Sequence, residues 1–195
     1  MKTIYTTLAV LMITTISLNA QDTKNKSTAG FKGGYNLSSV SFNGESETAK
    51  LHGFHIGAYV ESYIGKHLSI QPEVLYSQQG YKIIDGNTTF TQKLNYINIP
   101  VMFKLYPVKS FFLEVGPQIG FSISHKETFD SGFILYDTSK EFEPSNFDWG
   151  VNVGAGFKSD AGVSLGARYH LGQSDIYDQD KPKNSVWQLY LGFEL

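Results

Sequence analysis

The chain has 195 residues, 41% of them hydrophobic, 14% aromatic and only 17% charged, with 19 Gly, 12 Tyr and 14 Phe, a composition that favours one strand-rich domain. It contains no Cys, which excludes a disulfide scaffold, thiolate metal sites, cysteine catalysis and a cysteine-linked lipid anchor. The net charge of −2 gives no electrostatic basis for nucleic acid as a partner.

Lys2, the nearly uncharged apolar stretch from Leu8 to Leu18 and the small residue Ala20 read as a secretory signal peptide over residues 1–20, cleaved before Gln21. The stretch is too short to span a bilayer as a helix, which takes roughly 20 residues. No later segment is apolar enough for a membrane helix. A membrane location would therefore require a closed barrel, because only helices and closed barrels satisfy every backbone donor and acceptor in lipid.

Residues 21–195 then show eight runs that alternate with period two. The first lies near Phe31 to Ser39, with Lys32 and Asn36 on its polar side. In the second, Phe54, Ile56, Ala58 and Val60 oppose His55, Gly57, Tyr59 and Glu61. The third sets Leu68, Ile70, Val74 and Tyr76 against Ser69, Gln71, Glu73 and Ser77, and the fourth Ile97, Ile99, Val101, Phe103 and Leu105 against Tyr96, Asn98, Met102 and Lys104. The fifth, Phe111 to Ser124, has Leu113, Val115, Ile119, Phe121 and Ile123 on one face and Glu114, Gly116, Gln118 and Gly120 on the other. The sixth alternates from Phe147 through Trp149, Val151 and Val153 to Phe157. In the seventh, Val163, Leu165, Ala167, Tyr169 and Leu171 oppose Ser164, Gly166, Arg168 and His170. The eighth is the cleanest, with Trp187, Leu189, Leu191 and Phe193 against Gln188, Tyr190, Gly192 and Glu194.

The connections alternate too. Short turns are expected at Gly65 to His67, Pro107 to Ser110 and Ser159-Asp160, and long polar segments at Ser41 to Lys50, Lys82 to Thr91, Lys126 to Ser145 and Gly172 to Asn184. Tight periplasmic turns and long outer loops are the signature of an outer-membrane barrel. Glycines such as Gly34, Gly57, Gly116, Gly150, Gly154 and Gly166 fall in the polar register, where small residues make room inside a narrow tube. Aromatics of the apolar register gather at both strand ends, as interfacial girdles require. The alternative is a soluble barrel or sandwich with the apolar register inside. The signal peptide and the loop alternation favour the membrane, and the expected fold is an all-β, eight-stranded antiparallel up-and-down transmembrane β-barrel.

The segments Ser69-Ile70-Gln71-Pro72-Glu73-Val74-Leu75-Tyr76-Ser77-Gln78, Tyr96-Ile97-Asn98-Ile99-Pro100-Val101-Met102-Phe103-Lys104, Val115-Gly116-Pro117-Gln118-Ile119-Gly120-Phe121 and Trp149-Gly150-Val151-Asn152-Val153-Gly154-Ala155-Gly156 resemble the PorT-like outer-membrane β-barrel family, also labelled "porin family". The resemblance runs over essentially all of residues 21–195. It implies a Gram-negative outer-membrane barrel without a defined activity, and no catalytic residues carry over. Pro72, Pro100 and Pro117 interrupt strands that would have no free edge, so local bulges are expected there.

The polar register carries Lys32, Glu61, Glu73, Lys104, Glu114 and Arg168, with Glu194 at the end of the chain. A lumen walled off from water requires such charges to pair. If Leu105 faces Phe111 across the Pro107 turn, Met102 lies opposite Glu114 and Lys104 is its diagonal neighbour. The expected network is centred on Lys104 with Glu114 and Glu73, and it reads as a plug in preference to a gate or a proton or ion path. His52 and His55 point to opposite sides of a strand, and His67 belongs to a turn. His125 and His170 lie near the outer strand ends, where His170 with Asp148 or Asp175 would suit a hydrolase, but no nucleophile or paired carboxylate accompanies them at a recognisable spacing. Asp175, Asp178 and Asp180 lack the ligand run and central Gly of a calcium loop. No catalytic residue, cofactor or metal is therefore expected. The leading function is a non-enzymatic integral barrel with a structural or surface-interaction role. A small channel is the second reading and an outer-membrane enzyme with a site at the rim the third. The expected partners are outer-membrane lipid, the barrel-assembly machinery acting on the C-terminal strand, and extracellular or envelope proteins reached through the long loops.

Overall fold

Successive side chains of a strand point to opposite faces, and this chain forms strands wherever its sequence alternates. The computed structural model describes residues 27–42, 46–86, 88–130, 135–137, 147–175 and 183–195. The expected signal peptide and parts of the long outer segments, with Asp178 and Asp180, lie outside the described residues. Among the described residues ten strands occur: β1 (Ser27–Phe42), β2 (Ser46–Glu47), β3 (Ala49–Tyr63), β4 (Leu68–Asp85), β5 (Thr88–Val108), β6 (Phe111–Asp130), β7 (Leu135–Asp137), β8 (Phe147–Lys158), β9 (Val163–Asp175) and β10 (Lys183–Glu194). Eight of them pair in the order β1-β3-β4-β5-β6-β8-β9-β10, each antiparallel to the next, and β10 returns to β1 from Gly30↔Glu194 to Ser41↔Lys183. That last pairing closes the barrel and removes both sheet edges. The two short strands fold back on the long-loop ends of β1 and β6. Gly65 and Gly162 stand in the short turns with φ of 113° and 80°, a backbone region that favours glycine.

The apolar register faces out and the polar register faces in. Ile56, Leu165 and Leu189 are 56–58% exposed, whereas Lys32, Glu61, Glu73, Lys104, Glu114 and Arg168 are at most 3% exposed. Aromatic pairs cross neighbouring strands near both ends of the wall, with Phe111–Phe157 (5.3 Å between ring centres) by the short turns and Phe54–Tyr76 (5.7 Å) and Tyr169–Trp187 (4.7 Å) toward the long loops. Such belts flank an outward apolar band in outer-membrane barrels. No helix among the described residues is long and apolar enough to cross a membrane; the strands do so.

Three expectations are corrected. The segment Lys82 to Thr91 is not a long loop, because the β4–β5 ladder continues through Lys82↔Thr91, Ile83↔Phe90, Ile84↔Thr89 and Asp85↔Thr88. Outside the apolar band the hydrophobic alternation fades, but backbone pairing needs only the ladder's donors and acceptors. The prolines do not produce bulges. The β4–β5 offset is the same on either side of Pro72 and Pro100, and the β6–β8 offset runs unchanged through Pro117↔Val151. Bulges fall instead at Lys50/His55, Asn95/Tyr96, Leu105/Val108 and Lys183/Ser185. Finally, β5 and β6 meet in a tight turn at Val108↔Phe111, and the bulge that follows sets Lys104 directly opposite Glu114 and Leu105 opposite Leu113. The diagonal relation expected for Lys104 and Glu114 is thereby replaced.

Candidate functional site

The lumen is the place where charged side chains have no access to bulk water. Arg168 enters from β9 and Glu73 from β4, strands that stand opposite one another in the ring of eight. Arg168 Nη1 donates to Glu73 Oε2 (3.0 Å) and Nη2 to Oε1 (2.8 Å), so one ion pair spans the full width of the tube. The same guanidinium donates through Nε to Glu114 Oε1 (2.9 Å) and through Nη2 to Glu114 Oε2 (3.0 Å) from β6. Lys32 of β1 donates to both oxygens of Glu73 at 3.1 and 3.3 Å. Tyr190 of β10 donates to Glu114 Oε1 at 3.0 Å, and its ring lies 3.6 Å from Lys32 Nζ. Five donors in a planar fork let Arg hold two carboxylates at once, which explains why Arg168 is the hub.

Lys104, expected at the centre, is held at one remove. Its Nζ donates to Gln71 Oε1 (2.6 Å), Gln71 Nε2 donates to Glu73 Oε1 (2.7 Å), and the ammonium stands 4.3 Å from the centre of the Phe112 ring. Glu61 belongs to a second cluster at the short-turn mouth, where it accepts from Ser69 Oγ and Tyr106 OH, each at 2.6 Å, and from Lys158 Nζ at 2.9 Å. Lys158 also pairs with Glu194, which accepts from Thr28 Oγ1 (2.8 Å) on β1. This cluster ties β8 and β3 to the seam between β1 and β10, and it floors a cavity of about 620 Å³ bordered by Tyr63, Tyr106 and Lys109. Lys158, Gln71 and Tyr190 join the charge clusters beyond the set expected from the sequence, and each falls in the polar register.

Toward the long loops the lumen is filled by amides and two histidines. Asn36 Nδ2 donates to Ser77 Oγ (2.9 Å) and to the carbonyls of Phe54 and Gln78, Asn36 Oδ1 meets His55 Nδ1 at 2.7 Å, and Asn152 Oδ1 meets His170 Nδ1 at 2.9 Å. His52 points outward to Tyr35 OH, opposite to His55, and His67 Nδ1 meets the Tyr106 carbonyl at a turn. His170 Nε2 lies 3.4 Å from Asp148 Oδ2, and Ser174 Oγ donates to the other oxygen of Asp148. The serine thus contacts the carboxylate and not the imidazole, so the Ser–His–Asp order of a catalytic relay is not formed here. No group of three or more His, Asp or Glu suited to a metal occurs among the described residues.

Glycines make the crowding feasible. A Cβ on Gly166 would lie 2.4 Å from Tyr190 Cζ, and one on Gly30 would lie 2.5 Å from Tyr59 Cζ. The rings of Tyr190 and Tyr59 therefore rest on bare backbone of a neighbouring strand.

Solved structures share this architecture. Neisserial surface protein A is 14% identical with a TM-score of 0.56, and the match covers 87% of this chain and 99% of that one. Ail, the attachment invasion locus protein of Yersinia pestis, is 15% identical with a TM-score of 0.53 over the same shares of the two chains. At these identities the likeness shows the fold. No curated protein matches the chain in sequence. The model of the outer membrane protein beta-barrel domain matches residues 19–178, and with the closed ring and outward apolar wall already described, the chain belongs to that family of outer-membrane barrels.

Proposed function

We propose that this protein is a non-enzymatic, non-conducting barrel that acts through its long-loop end, as a structural or surface-interaction element of the outer membrane. The observation that carries the reading is the Arg168–Glu73 pair, which joins opposite walls of the lumen with Glu114, Lys32 and Tyr190 packed around it. An eight-stranded barrel has an interior just wide enough for side chains to fill, and buried ion pairs satisfied on every side resist opening because parting them strands charges. The finer placement in the PorT-like group rests on the four segments quoted above. Export by the signal peptide, contact with outer-membrane lipid, assembly through the C-terminal strand and protein partners at the loops belong to the same proposal. The deciding experiment is single-channel recording of purified protein in planar bilayers. Silence is the expected result. Steady, wide openings would replace this reading with that of a small channel, the one alternative that the polar lumen lining favours.

A further inference from the structure

His170 of β9 and Asp148 of β8 face each other, both buried, toward the long-loop end of the lumen. The tautomer of His170 follows from its neighbours. Asn152 Nδ2 points at Gln118 Oε1 (3.1 Å) and at Met102 Sδ (3.8 Å), and a thioether sulfur only accepts, so the Asn152 side chain is fixed with Oδ1 toward the ring. His170 Nδ1 therefore donates to that oxygen at 2.9 Å. In a neutral ring, a proton on Nδ1 leaves Nε2 as a bare lone pair, and His170 Nε2 is buried without a hydrogen-bond partner. In front of it, 3.4 Å away, stands another acceptor, Asp148 Oδ2. Two buried lone pairs turned on each other are costly unless a cation lies between them.

The spacing identifies the cation. A proton shared between an imidazolium and a carboxylate draws the heavy atoms to about 2.7–2.9 Å. A tetrahedral ion with bonds of about 2.0–2.2 Å to nitrogen and oxygen holds them about 3.3–3.5 Å apart, and the observed separation of 3.4 Å falls in that range. One imidazole nitrogen with one carboxylate oxygen suits Zn²⁺, whereas Mg²⁺ and Ca²⁺ take oxygen. The supporting layer is also in place. A metal-bound His typically donates its other N–H to an oxygen, and a metal-bound carboxylate is itself hydrogen-bonded. Here Asn152 Oδ1 holds the ring, and Ser174 Oγ, which accepts from the Trp149 N–H at 3.0 Å, donates to Asp148 Oδ1. We infer that His170 Nε2 and Asp148 Oδ2 form a binding site for a zinc-like divalent transition-metal ion at the long-loop end of the lumen. Two protein ligands leave two tetrahedral positions to water or to a donor from outside, which makes the site an open one. The inference goes beyond the surface-interaction reading and holds or fails independently of it.

The test is calorimetric titration of Zn²⁺ into the purified, untagged protein in detergent micelles after treatment with a chelator. Co²⁺ absorption reads the geometry, and the imidazole nitrogen resonances read the position. The parent should take up one equivalent of Zn²⁺, show the visible band of tetrahedral Co²⁺ and shift the His170 Nε2 resonance. His170→Gln should lower the affinity more than about 100-fold, and Asn152→Leu, which removes only the acceptor for the Nδ1–H, about 10–100-fold. His52→Gln combined with His67→Gln and His125→Gln, elsewhere on the barrel, should leave it unchanged. No uptake by the parent would overturn the site and leave a simple imidazolium–carboxylate pair. Uptake that survives His170→Gln, or that the triple variant abolishes, would assign the ion to another place. The spectra of the parent decide the question even where a buried variant fails to fold, because Zn²⁺ bound with the His170 resonance unmoved would also overturn the site.

Discussion

Truncating Arg168 to Met should lower the unfolding free energy by about 3–5 kcal/mol, the range for removing one partner from a buried ion pair. The change deletes four hydrogen bonds of 2.8–3.0 Å to two carboxylates, and the two fare differently afterwards. Glu73 keeps Lys32 at 3.1 Å and Gln71 at 2.7 Å, whereas Glu114 keeps the Tyr190 hydroxyl at 3.0 Å but loses its ion pair. Most of the loss therefore comes from Glu114. Adding Glu114→Gln to Arg168→Met should recover a measurable part of it, since contacting residues are not additive. Arg168→Lys keeps the charge but not the fork and should cost about 1.5–3 kcal/mol, the value of a hydrogen bond to a charged group. Lys104→Met should also fall at about 1.5–3 kcal/mol, because Lys104 reaches Glu73 only through Gln71. Urea unfolding in phospholipid vesicles, followed by the fluorescence of the outward-facing Trp149 and Trp187 and extrapolated linearly, measures all of these. An Arg168→Met variant within about 0.5 kcal/mol of the parent, the range of an ordinary surface substitution, would refute the hub. So would a Lys104→Met variant that costs more than Arg168→Met.

Leu189, 56% exposed and set between Trp187 and Phe193 on the outward face of β10, should cost about 2–4 kcal/mol when changed to Arg; a neutral result in a lipid-embedded folding assay would mean that the wall faces the wrong way. Gly166→Ala should cost about 1–3 kcal/mol, the usual cost of overpacking, because the new Cβ would lie 2.4 Å from Tyr190 Cζ. Pairing it with Tyr190→Leu should relieve much of that cost, and the same urea titration reads both. N-terminal sequencing of protein recovered from cells should begin at Gln21, with the chain in the outer-membrane fraction; retention of residues 1–20 would remove the export signal from the proposal.

Sequence by itself determined which side of the wall each residue faces. A strand's side chains alternate with strict period two, and a barrel in lipid must expose one apolar face, so Val101, Val153, Leu165 and Leu191 could be set outside, with Glu114, Asn152, Arg168 and Tyr190 inside, from the pattern alone. The number of barrel strands and their order followed from the same alternation. What it could not determine was which charges meet. Partners across a lumen depend on strand offset, and the two-residue turn at Lys109-Ser110 and the bulge behind it set that offset between β5 and β6. They also depend on closure, because only the β10–β1 seam brings β9 round to face β4 and lets Arg168 reach Glu73. Arg168 is thus the hub through a distance across the tube that no local spacing encodes. The prolines illustrate the same division: their missing donors were evident in the sequence, but whether the ladder slipped or simply skipped a rung was decided by neighbouring strands whose pairing on either side fixes the register.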